Sequence, residues 1–571
     1  MKKINNINTI VVVALLFVIL VVSGCSSDFL DKTPTGTYTA DNFYISDAAV
    51  QSAVDPLYNR AWFGFHSQSN AMWAIGSLRG NDAYNAYNHG EFVHFQTTSL
   101  TGEVGDAWRS LYTVVSLSSS LITNIKNNCT ADVTQKAKDE AIGTAYLMRA
   151  TAYFFMVRTW GPVILYEDNY DIVKDPIRPL NPEEDVFKFI IRDLRKACEL
   201  LPETNGNGRV SVYAAKAMLA KVLLAHSGWN KPTRDEGELA ECVSLCEDVI
   251  DHSGASLMPK YEDLFKYQNN LNSESLYAMR WRVAPSYIWG SQNAMVSELS
   301  WGDVCDVGCW GHDLCATIDM INLYNLDPLN HDAIRRKATF FIPGEHYDYI
   351  HSATGGYTYP KASDNTGWMQ VKKGVVGCKE DNDGNLSQQN SPLHTYILRL
   401  ADVYLIHAEA SLGNQAELTG GRGLESFNAI RKRAGVEQKD KITFLDIINE
   451  RRLEFCCEYQ TWFEMVSWFR WQPEYMLDYF NNHQYRGYLI NSGGIRLNPD
   501  GSLSYHVAFF QIGGQDAWDT IEGYTDDGQH FTPTVVTKNN VFIPYPETDR
   551  LRNHYLSEDP VPYDFGDGSS E

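Results

Sequence analysis

The sequence of 571 residues carries a formal net charge of −23 at pH 7, with 71 acidic and 48 basic residues. A chain of this length buries a large core without help from disulfides or metals, and its acidic charge argues against nucleic acid as a partner. The 14 Trp, 32 Tyr and 25 Phe residues predict some exposed rings besides those in the core, which is a first indication of sugar binding.

The N-terminus has the composition of an export signal. Two lysines precede an almost wholly apolar stretch, residues 10–22, which is shorter than the roughly 20 residues of a comfortable membrane span. Small residues then lead into a cysteine, in the order Val22-Ser23-Gly24-Cys25. This pattern predicts a cleaved signal peptide over residues 1–24. The exit resembles a bacterial lipobox, which predicts acylation of Cys25; an ordinary signal peptide with an incidental cysteine is the alternative.

Apolar residues recur at helical spacing in two parts of the chain. The predicted helices of the first part span residues 106–126, 133–160, 182–201, 210–227 and 238–251. Those of the second part span residues 393–412, 423–433 and 444–471. Short turns join the helices, and small residues recur where helices must approach closely. This pattern predicts an all-α fold, a tetratricopeptide-like scaffold of about four helical hairpins with long ordered loop regions.

The rest of the chain is rich in Gly, Asn, Asp and aromatic residues and shows no sustained period. These segments are residues 28–105, 256–392 and 476–571. They predict long ordered loops, which commonly carry binding residues when a rigid scaffold supports them. We expect a single domain after the signal peptide, residues 25–571. The scaffold is predicted mainly at 106–255 and 393–472, and the ligand-binding parts mainly at 60–105 and 256–392.

Two groups of cysteines call for different interpretations. Buried thiols that pack as small hydrophobes explain one group, Cys242, Cys246, Cys456 and Cys457. The other group lies close to a histidine and comprises Cys305, Cys309 and Cys315 with His312. Disulfides form outside the cytoplasm, and three thiols with one imidazole can bind zinc, although this spacing matches no common zinc finger. A disulfide, free thiols and a metal site remain open for this group.

Several motifs along the mature chain stand in the order typical of the SusD/RagB family. They include Arg149-Ala150 with Tyr153, the run Arg399-Leu400-Ala401-Asp402-Val403-Tyr404, the run Asn428 to Gly435, and Glu450-Arg451 with Glu454. Each motif alone is weak, but together they cover nearly the whole mature chain. The sequence therefore resembles SusD/RagB proteins, which are outer-membrane nutrient-binding lipoproteins.

The resemblance implies a location and a partner. The protein is expected at the cell surface, lipid-anchored in the outer membrane through Cys25, and the acidic Asp28 and Asp31 resemble the surface-export signal of Bacteroidetes lipoproteins. A SusC-like TonB-dependent transporter is the implied receiver of an oligo- or polysaccharide ligand. Peptide uptake by the same fold is the alternative, and a secreted helical glycosidase is a third interpretation.

Glu450, Glu454 and Glu458 recur every four residues on one face of a predicted helix. Two carboxylates about 5–5.5 Å apart would suit a retaining glycosidase. We favour the other interpretation, ion pairs with Arg451, Arg452 and neighbouring helices. The sequence contains no Gly-x-Ser-x-Gly elbow, His-Glu-x-x-His motif or phosphate loop. We therefore expect neither catalytic residues nor a cofactor.

Sugar binding requires flat rings for the apolar C–H faces of pyranoses and polar side chains for their hydroxyls. Two segments offer both. The first, where the family's ligand-binding loop typically falls, contains the candidates Asn81, Asp82, Tyr84 and Tyr87. The second is rich in aromatic residues and contains Trp289, Trp301 and Trp310; Trp73 is a further candidate. Core packing is the alternative for each of these rings.

Overall fold

A computed structural model describes most of the chain. The described residues are 43–68, 70–85, 89–283, 290–306, 311, 314–360, 369–387, 390–482, 496–504 and 535–566. Several residues of the sequence predictions lie outside them, namely Cys25, Asp28, Asp31, Tyr87, Trp289, Cys309, Trp310 and His312. Within the described ranges, no helix combines the length and the apolar character needed to cross a membrane.

Helices dominate the described structure. The longer ones are α1 (Asp47–Val54), α2 (Gly102–Asn128), α3 (Gln135–Trp160), α4 (Glu183–Leu200), α5 (Val212–Gly228), α6 (Glu236–His252), α7 (Ile318–Asn325), α8 (Leu400–Leu412), α9 (Gly421–Ala434), α10 (Phe444–Phe455), α11 (Thr461–Trp471) and α12 (Pro473–Asn482). Shorter helices are Ala71–Trp73, Gly90–Val93, Asn169–Lys174, Met295–Leu299, Ala333–Thr339 and Glu547–Arg550. Two π-helical turns, Gly64–Gln68 and Ala74–Leu78, lie before α2.

The strands are short and pair in twos, all antiparallel. They are β1 (Ala83–Asn85), β2 (Ser275–Met279), β3 (Leu314–Ala316), β4 (His346–Tyr347), β5 (Tyr357–Thr358), β6 (Thr395–Arg399), β7 (Arg496–Leu497) and β8 (Leu503–Ser504). The pairs are β1 with β3, β2 with β6, β4 with β5, and β7 with β8. Each strand pair joins segments of the loop-rich regions, or joins one of them to the scaffold.

The long helices pack on one another in succession. Helix α3 packs against both α2 and α4, α5 against α4 and α6, and α8 against α6 and α9. One continuous apolar core runs beneath this stack, and a smaller one lies among α8, α9 and α10. The predicted all-α, tetratricopeptide-like scaffold of helical hairpins is confirmed.

Polar residues set several helix starts. The Thr134 hydroxyl accepts a hydrogen bond from the backbone N–H of Ala137 at the start of α3, and Asp235 caps α6 in the same way. Thr443 and Asp446 form a reciprocal capping box at the start of α10. Each cap satisfies backbone donors that a helix start leaves unpaired, which fixes where the helix begins.

A buried ion pair joins the first hairpin to the next helix. The Arg149 guanidinium donates to both oxygens of Asp193, at 2.7 and 3.0 Å, and also to the hydroxyl of Ser119 at 2.9 Å. These three residues belong to α3, α4 and α2. The motif residue Arg149 is therefore part of the scaffold, where a bidentate pair fixes the helices in both distance and orientation.

Two predicted helix boundaries were wrong. Residues 393–399 were expected to begin a helix, but Thr395–Arg399 forms strand β6, whose partner β2 lies far away in the sequence. The run contains β-branched and aromatic residues and is buried on both faces, so its apolar pattern also fits a strand. The predicted helix over residues 444–471 is divided into α10 and α11 by a turn at residues 456–460.

The cysteine alternatives are resolved in part. Cys305 is disulfide-bonded, whereas Cys315 is a buried free thiol. The partner of Cys305 lies outside the described residues, because every other described cysteine is free. A sulfur held in a disulfide does not ligate zinc, so the three-thiol metal set does not form. Cys242, Cys246, Cys456 and Cys457 are buried free thiols, as predicted.

His226 connects three successive helices. Its ring lies in α5, with Nδ1 at 2.6 Å from Glu238 of α6 and Nε2 at 3.0 Å from Glu184 of α4. Burial opposes the charged ring, but the two carboxylates outweigh burial and raise the pKa of His226. Folding therefore favours the protonated ring. The stabilisation that the protonated His226 ring provides is complete below the ordinary pKa of histidine. It is lost as the pH rises through the pKa of His226 in the folded protein.

We expect His226→Gln to lower the free energy of unfolding by on the order of 1 kcal/mol at about pH 5.5, and by less at about pH 9. Urea unfolding at both pH values measures the difference. His252→Gln is the matched control, because His252 also contacts a carboxylate but is exposed. Equal losses at both pH values for His226→Gln would contradict this role.

Candidate functional site

The strand pair β1–β3 joins the two segments that the sequence singled out. Tyr84 lies opposite Cys315 and Asn85 opposite Leu314. Asn85 is the last described residue before the segment that contains Tyr87. Leu314 is the first described residue after residues 312–313, and it follows Trp310 by four positions. The first segment therefore leaves β1, and the second segment enters β3, at the same end of this two-stranded sheet.

The first segment is anchored by Asp82, which is fully buried. One of its oxygens accepts hydrogen bonds from the Thr461 hydroxyl at 2.7 Å and from the backbone N–H of Cys457 at 3.2 Å. Cys457 lies in the turn that separates α10 from α11, and Thr461 is the first residue of α11. Burial raises the pKa of Asp82 to about 6, against the opposing effects of Thr461 and Arg452. The carboxylate thus ties β1 to the C-terminal helices.

The turn itself has a tightly constrained backbone. Cys457 and Tyr459 have φ values of 62° and 67°, in the left-handed region that is costly for residues other than glycine. Gly76 packs directly on this turn, since a Cβ at Gly76 would lie 1.8 Å from the carbonyl oxygen of Tyr459. No side chain fits between them, so the π-helical turn before β1 and the α10–α11 turn are held in direct backbone contact.

Other predicted site residues are also interior. Asn81 is 1% exposed, and its amide donates to Asp319 at 3.4 Å. Trp73 is 1% exposed and packs edge-on against Tyr459, with ring centroids 5.5 Å apart. Trp301 is 8% exposed and packs in the same way against Phe341 at 5.3 Å.

Tyr84 is 7% exposed. The rings of Trp73, Tyr84 and Trp301 therefore present no open face to a sugar in this structure. Core packing, the alternative interpretation, therefore describes these three rings here. Any contact between them and a ligand stays a prediction. Tyr87, Trp289 and Trp310, the other aromatic candidates, lie outside the described residues.

A charged cluster that the sequence did not single out lies where the chain re-enters the structure after residue 88. His89 Nδ1 lies 3.4 Å from Glu103, and one ligand atom from each of His89, Glu91 and Glu103 falls within 4.8 Å of the others. Burial opposes protonation of His89, but the hydrogen bond and charge of Glu103, with Glu91 and Glu298 nearby, raise its pKa. The three ligand atoms are close enough to hold a divalent cation such as zinc when His89 is deprotonated.

The Glu450, Glu454 and Glu458 carboxylates are buried in ion pairs, which confirms the favoured interpretation. Their partners differ from those expected, because Arg451 and Arg452 pair instead with Asp402 and Asp319. The partners of the three glutamates come from other segments and are Arg335, Arg399, Arg431, Arg433 and Lys373. Glu458 lies beyond the end of α10, so the three do not share one helix.

The pKa of Glu454 shows why this cluster is unsuited to acid catalysis. Burial alone would raise the pKa, but the guanidinium groups of Arg433, Arg399 and Arg335 hold it far below the ordinary range. A general acid needs a proton to give near neutral pH. Glu454 has none, and its charge is committed to the structure.

A further arrangement of rings and polar groups lies in a cleft of about 350 Å³ between α7, α10 and α12. Tyr475, which is 40% exposed, forms part of its wall together with Asn322 and Asn449. Sequence patterns do not indicate this cleft, because its residues are distant from one another along the chain and each occurs in an ordinary helical pattern.

We expect Asp82→Ala to lower the free energy of unfolding by about 1–3 kcal/mol, because it leaves the Cys457 N–H without its acceptor. Asp82→Asn retains an acceptor and resembles the protonated acid. The raised pKa means that folding favours the protonated form of Asp82. The free energy of unfolding of Asp82→Asn therefore increases relative to that of the parent protein as the pH rises through about 6.

Chemical unfolding on either side of that pH tests both variants. An Asp82→Ala protein that keeps its full stability but loses oligosaccharide binding would assign Asp82 to the ligand site instead.

Two family models and several known proteins match this chain. Residues 279–561 match the model of the SusD family, and residues 28–224 match a model described as starch-binding and associating with the outer membrane. The chain is 46% identical over 552 residues to a SusD-like protein from Bacteroides ovatus, covering 96% of this chain and 97% of that relative. It is 23% identical over 556 residues to SusD-like protein P25 from Formosa agariphila, covering 88% and 95%.

Solved structures agree in fold. A structure determined with a xylogluco-oligosaccharide is 45% identical in sequence, with a TM-score of 0.80, and the match covers 91% of this chain and 100% of that one. A laminarin-binding SusD-like protein shares the fold at 20% identity and a TM-score of 0.58, covering 75% and 93%.

Proposed function

The chain belongs to the SusD family, and from this premise we propose that it binds a xyloglucan-type oligosaccharide and acts as a receptor rather than an enzyme. The observation that carries the proposal is the relative solved with a xylogluco-oligosaccharide, because the similarity spans that whole chain and includes the scaffold from which the loops emerge. The ion-paired state of Glu450, Glu454 and Glu458 supports a role in binding over one in hydrolysis.

We place the stacking rings in the two loop segments that start from the β1–β3 sheet. Tyr87 follows Asn85 by two positions, and Trp310 precedes Leu314 by four. Since Asn85 and Leu314 are register partners, the covalent chain ties both aromatic residues to one end of the sheet. Trp289 precedes Gly290, whose backbone packs beside Arg60 and Phe63. Tyr87, Trp289 and Trp310 are thus our candidates for contact with the glycan.

The energetics favour weak binding. Ring stacking removes apolar surface from water at roughly 25 cal/mol per Å², and hydroxyl contacts to charged groups add about 1.5–3 kcal/mol each. Ordering a flexible oligosaccharide offsets much of this gain. The net affinity is expected on the order of 10 μM to 1 mM, or about −4 to −7 kcal/mol. Weak binding suits a receptor that releases its ligand to a transporter.

We expect Trp289→Ala to abolish measurable binding of a xylogluco-oligosaccharide in calorimetry, with the melting temperature nearly unchanged. Tyr475→Ala is the matched control, since it removes an exposed ring in the separate cleft. Loss of binding in the control alone would move the glycan site to that cleft. Parallel titrations with a peptide pool and an assay of glycan turnover address the other two functions. Peptide binding without glycan binding, or glycan turnover, would contradict the proposal.

We further propose that residues 25–571 form one exported domain whose acylated Cys25 anchors it in the outer membrane at the cell surface. A SusC-like TonB-dependent transporter is the proposed receiver of the glycan. The lipobox-like exit at Cys25 supports the anchor, and membership of the family supports the transporter.

In cells expressing the native chain, we expect protease digestion at the surface and co-purification of a large outer-membrane protein in mild detergent. Cys25→Ala should release the protein from the membrane fraction and greatly reduce both signals. Unchanged fractionation and surface exposure of Cys25→Ala would rule out the anchor. Recovery of the native lipoprotein alone at native expression levels would count against the transporter.

A further inference from the structure

A polar cleft of about 310 Å³ lies on the scaffold side of β2. The segment before α5, the end of α6 and strand β2 form its walls. Arg209, Arg280 and His394 lie in its lining, together with side-chain hydroxyls that include those of Thr204, Ser211 and Ser273. A concentration of basic groups is unexpected in a chain with a net charge of −23.

Arg280 is a half-buried cation in the lining of this cleft. Its backbone N–H donates to the carbonyl of Tyr58 at 2.7 Å, which fixes the residue at the end of β2. Its Nε is buried and has no hydrogen-bond partner, and across the described ranges the guanidinium makes no ion pair. A buried guanidinium donor left unpaired carries a desolvation cost that a bound acceptor would remove.

A second guanidinium, that of Arg209, lies near the first. Arg209 and Arg280 both lie beside the ring of Tyr58, at 5.9 and 5.7 Å from its centroid. Asp55 pairs with Arg209 at 2.7 Å and so neutralises that residue directly. Burial and the charge of Arg209 lower the pKa of Arg280, against the opposing effects of Tyr58 and Asp55. The two guanidinium groups and the Asp55 carboxylate together leave one net positive charge beside the cleft, which attracts an anion.

His394 provides a further unpaired group. Its Nδ1 is buried without a hydrogen-bond partner, although its backbone N–H donates to Asn270 at 2.9 Å. Burial, with a smaller contribution from Arg280, lowers the pKa of His394 to about 4. The ring is therefore neutral at physiological pH and can donate one N–H. The acidic residue of the lining is Glu203, which is exposed at the rim.

We propose that this cleft binds a small oxyanion, the carboxylate of an acidic sugar or a free phosphate or sulfate, between the guanidinium groups of Arg209 and Arg280. The planar fork of Arg280 offers paired donors that match the oxygen spacing of such groups. The hydroxyls around the cleft suit the remaining oxygens of the ligand. The residues that line this cleft are not among the proposed glycan-binding residues, and the oxyanion proposal does not depend on the glycan proposal.

The test titrates the mature protein with phosphate, sulfate, glucuronate and glucose at constant ionic strength, maintained with sodium chloride, and follows heat by calorimetry. We expect the three oxyanions to bind in the millimolar range or tighter and glucose not to bind at this site. Arg280→Gln should weaken oxyanion binding at least about tenfold, which corresponds to about 1.4 kcal/mol. Arg280→Lys should recover part of the affinity, because it keeps the charge but loses the fork.

Arg552→Gln is the matched control, because it removes the same charge at an exposed position outside the cleft. Melting temperatures of all variants verify that each is folded. Tighter binding of glucuronate than of phosphate would assign the site to acidic sugars, and the reverse order to free oxyanions; both uphold an oxyanion site. Undiminished binding by Arg280→Gln, an equal loss in Arg552→Gln, or no oxyanion binding by the parent protein would overturn the proposal.

Discussion

The carboxylate of Glu454 lies fully buried among guanidinium groups from three separate parts of the chain. Arg335 follows α7, Arg399 ends strand β6 and Arg433 lies near the end of α9. Removing one member of such a set leaves an uncompensated charge in the interior, which costs about 3–5 kcal/mol. The segments that supply these residues are therefore held in one relative arrangement, in which the short helix Ala333–Thr339 is tied to α9 and α10.

A second network extends the same constraint to the N-terminal helices. Asp402 of α8 pairs with Lys221 of α5 and with Arg451 of α10, while Glu464 of α11 joins Arg158 of α3 to the group. Polar pairs of this kind demand specific geometry in a way that apolar packing does not. The apolar core provides most of the driving force for folding, and the two networks determine how the hairpins, strands and loops are oriented around it.

The sequence predicted the stacked hairpins well, because periodicity, caps and small residues are local signals. It failed where a residue's environment is set by distant parts of the chain. Strand β6 takes its partner from β2, and Asp82 takes its donors from Cys457 and Thr461, hundreds of positions away. In a Gly- and Asn-rich segment, a polar residue that faces solvent and one that anchors a turn have the same sequence pattern. Either one therefore resembles a ligand-binding residue. Of the candidate site, the sequence could therefore indicate the segments but not the burial of their side chains.

The register between β1 and β3 has a consequence for how such a protein diversifies. Asp82, Gly76 and the turn before α11 hold the sheet in place from within, whereas Asn85 and Leu314 pair at its other end. Insertions, deletions or grafts beyond this last pair leave the interior anchors in the chain intact. Duplicated copies of such a gene can thus acquire new preferences by exchanging short peptides, without having to re-evolve a core.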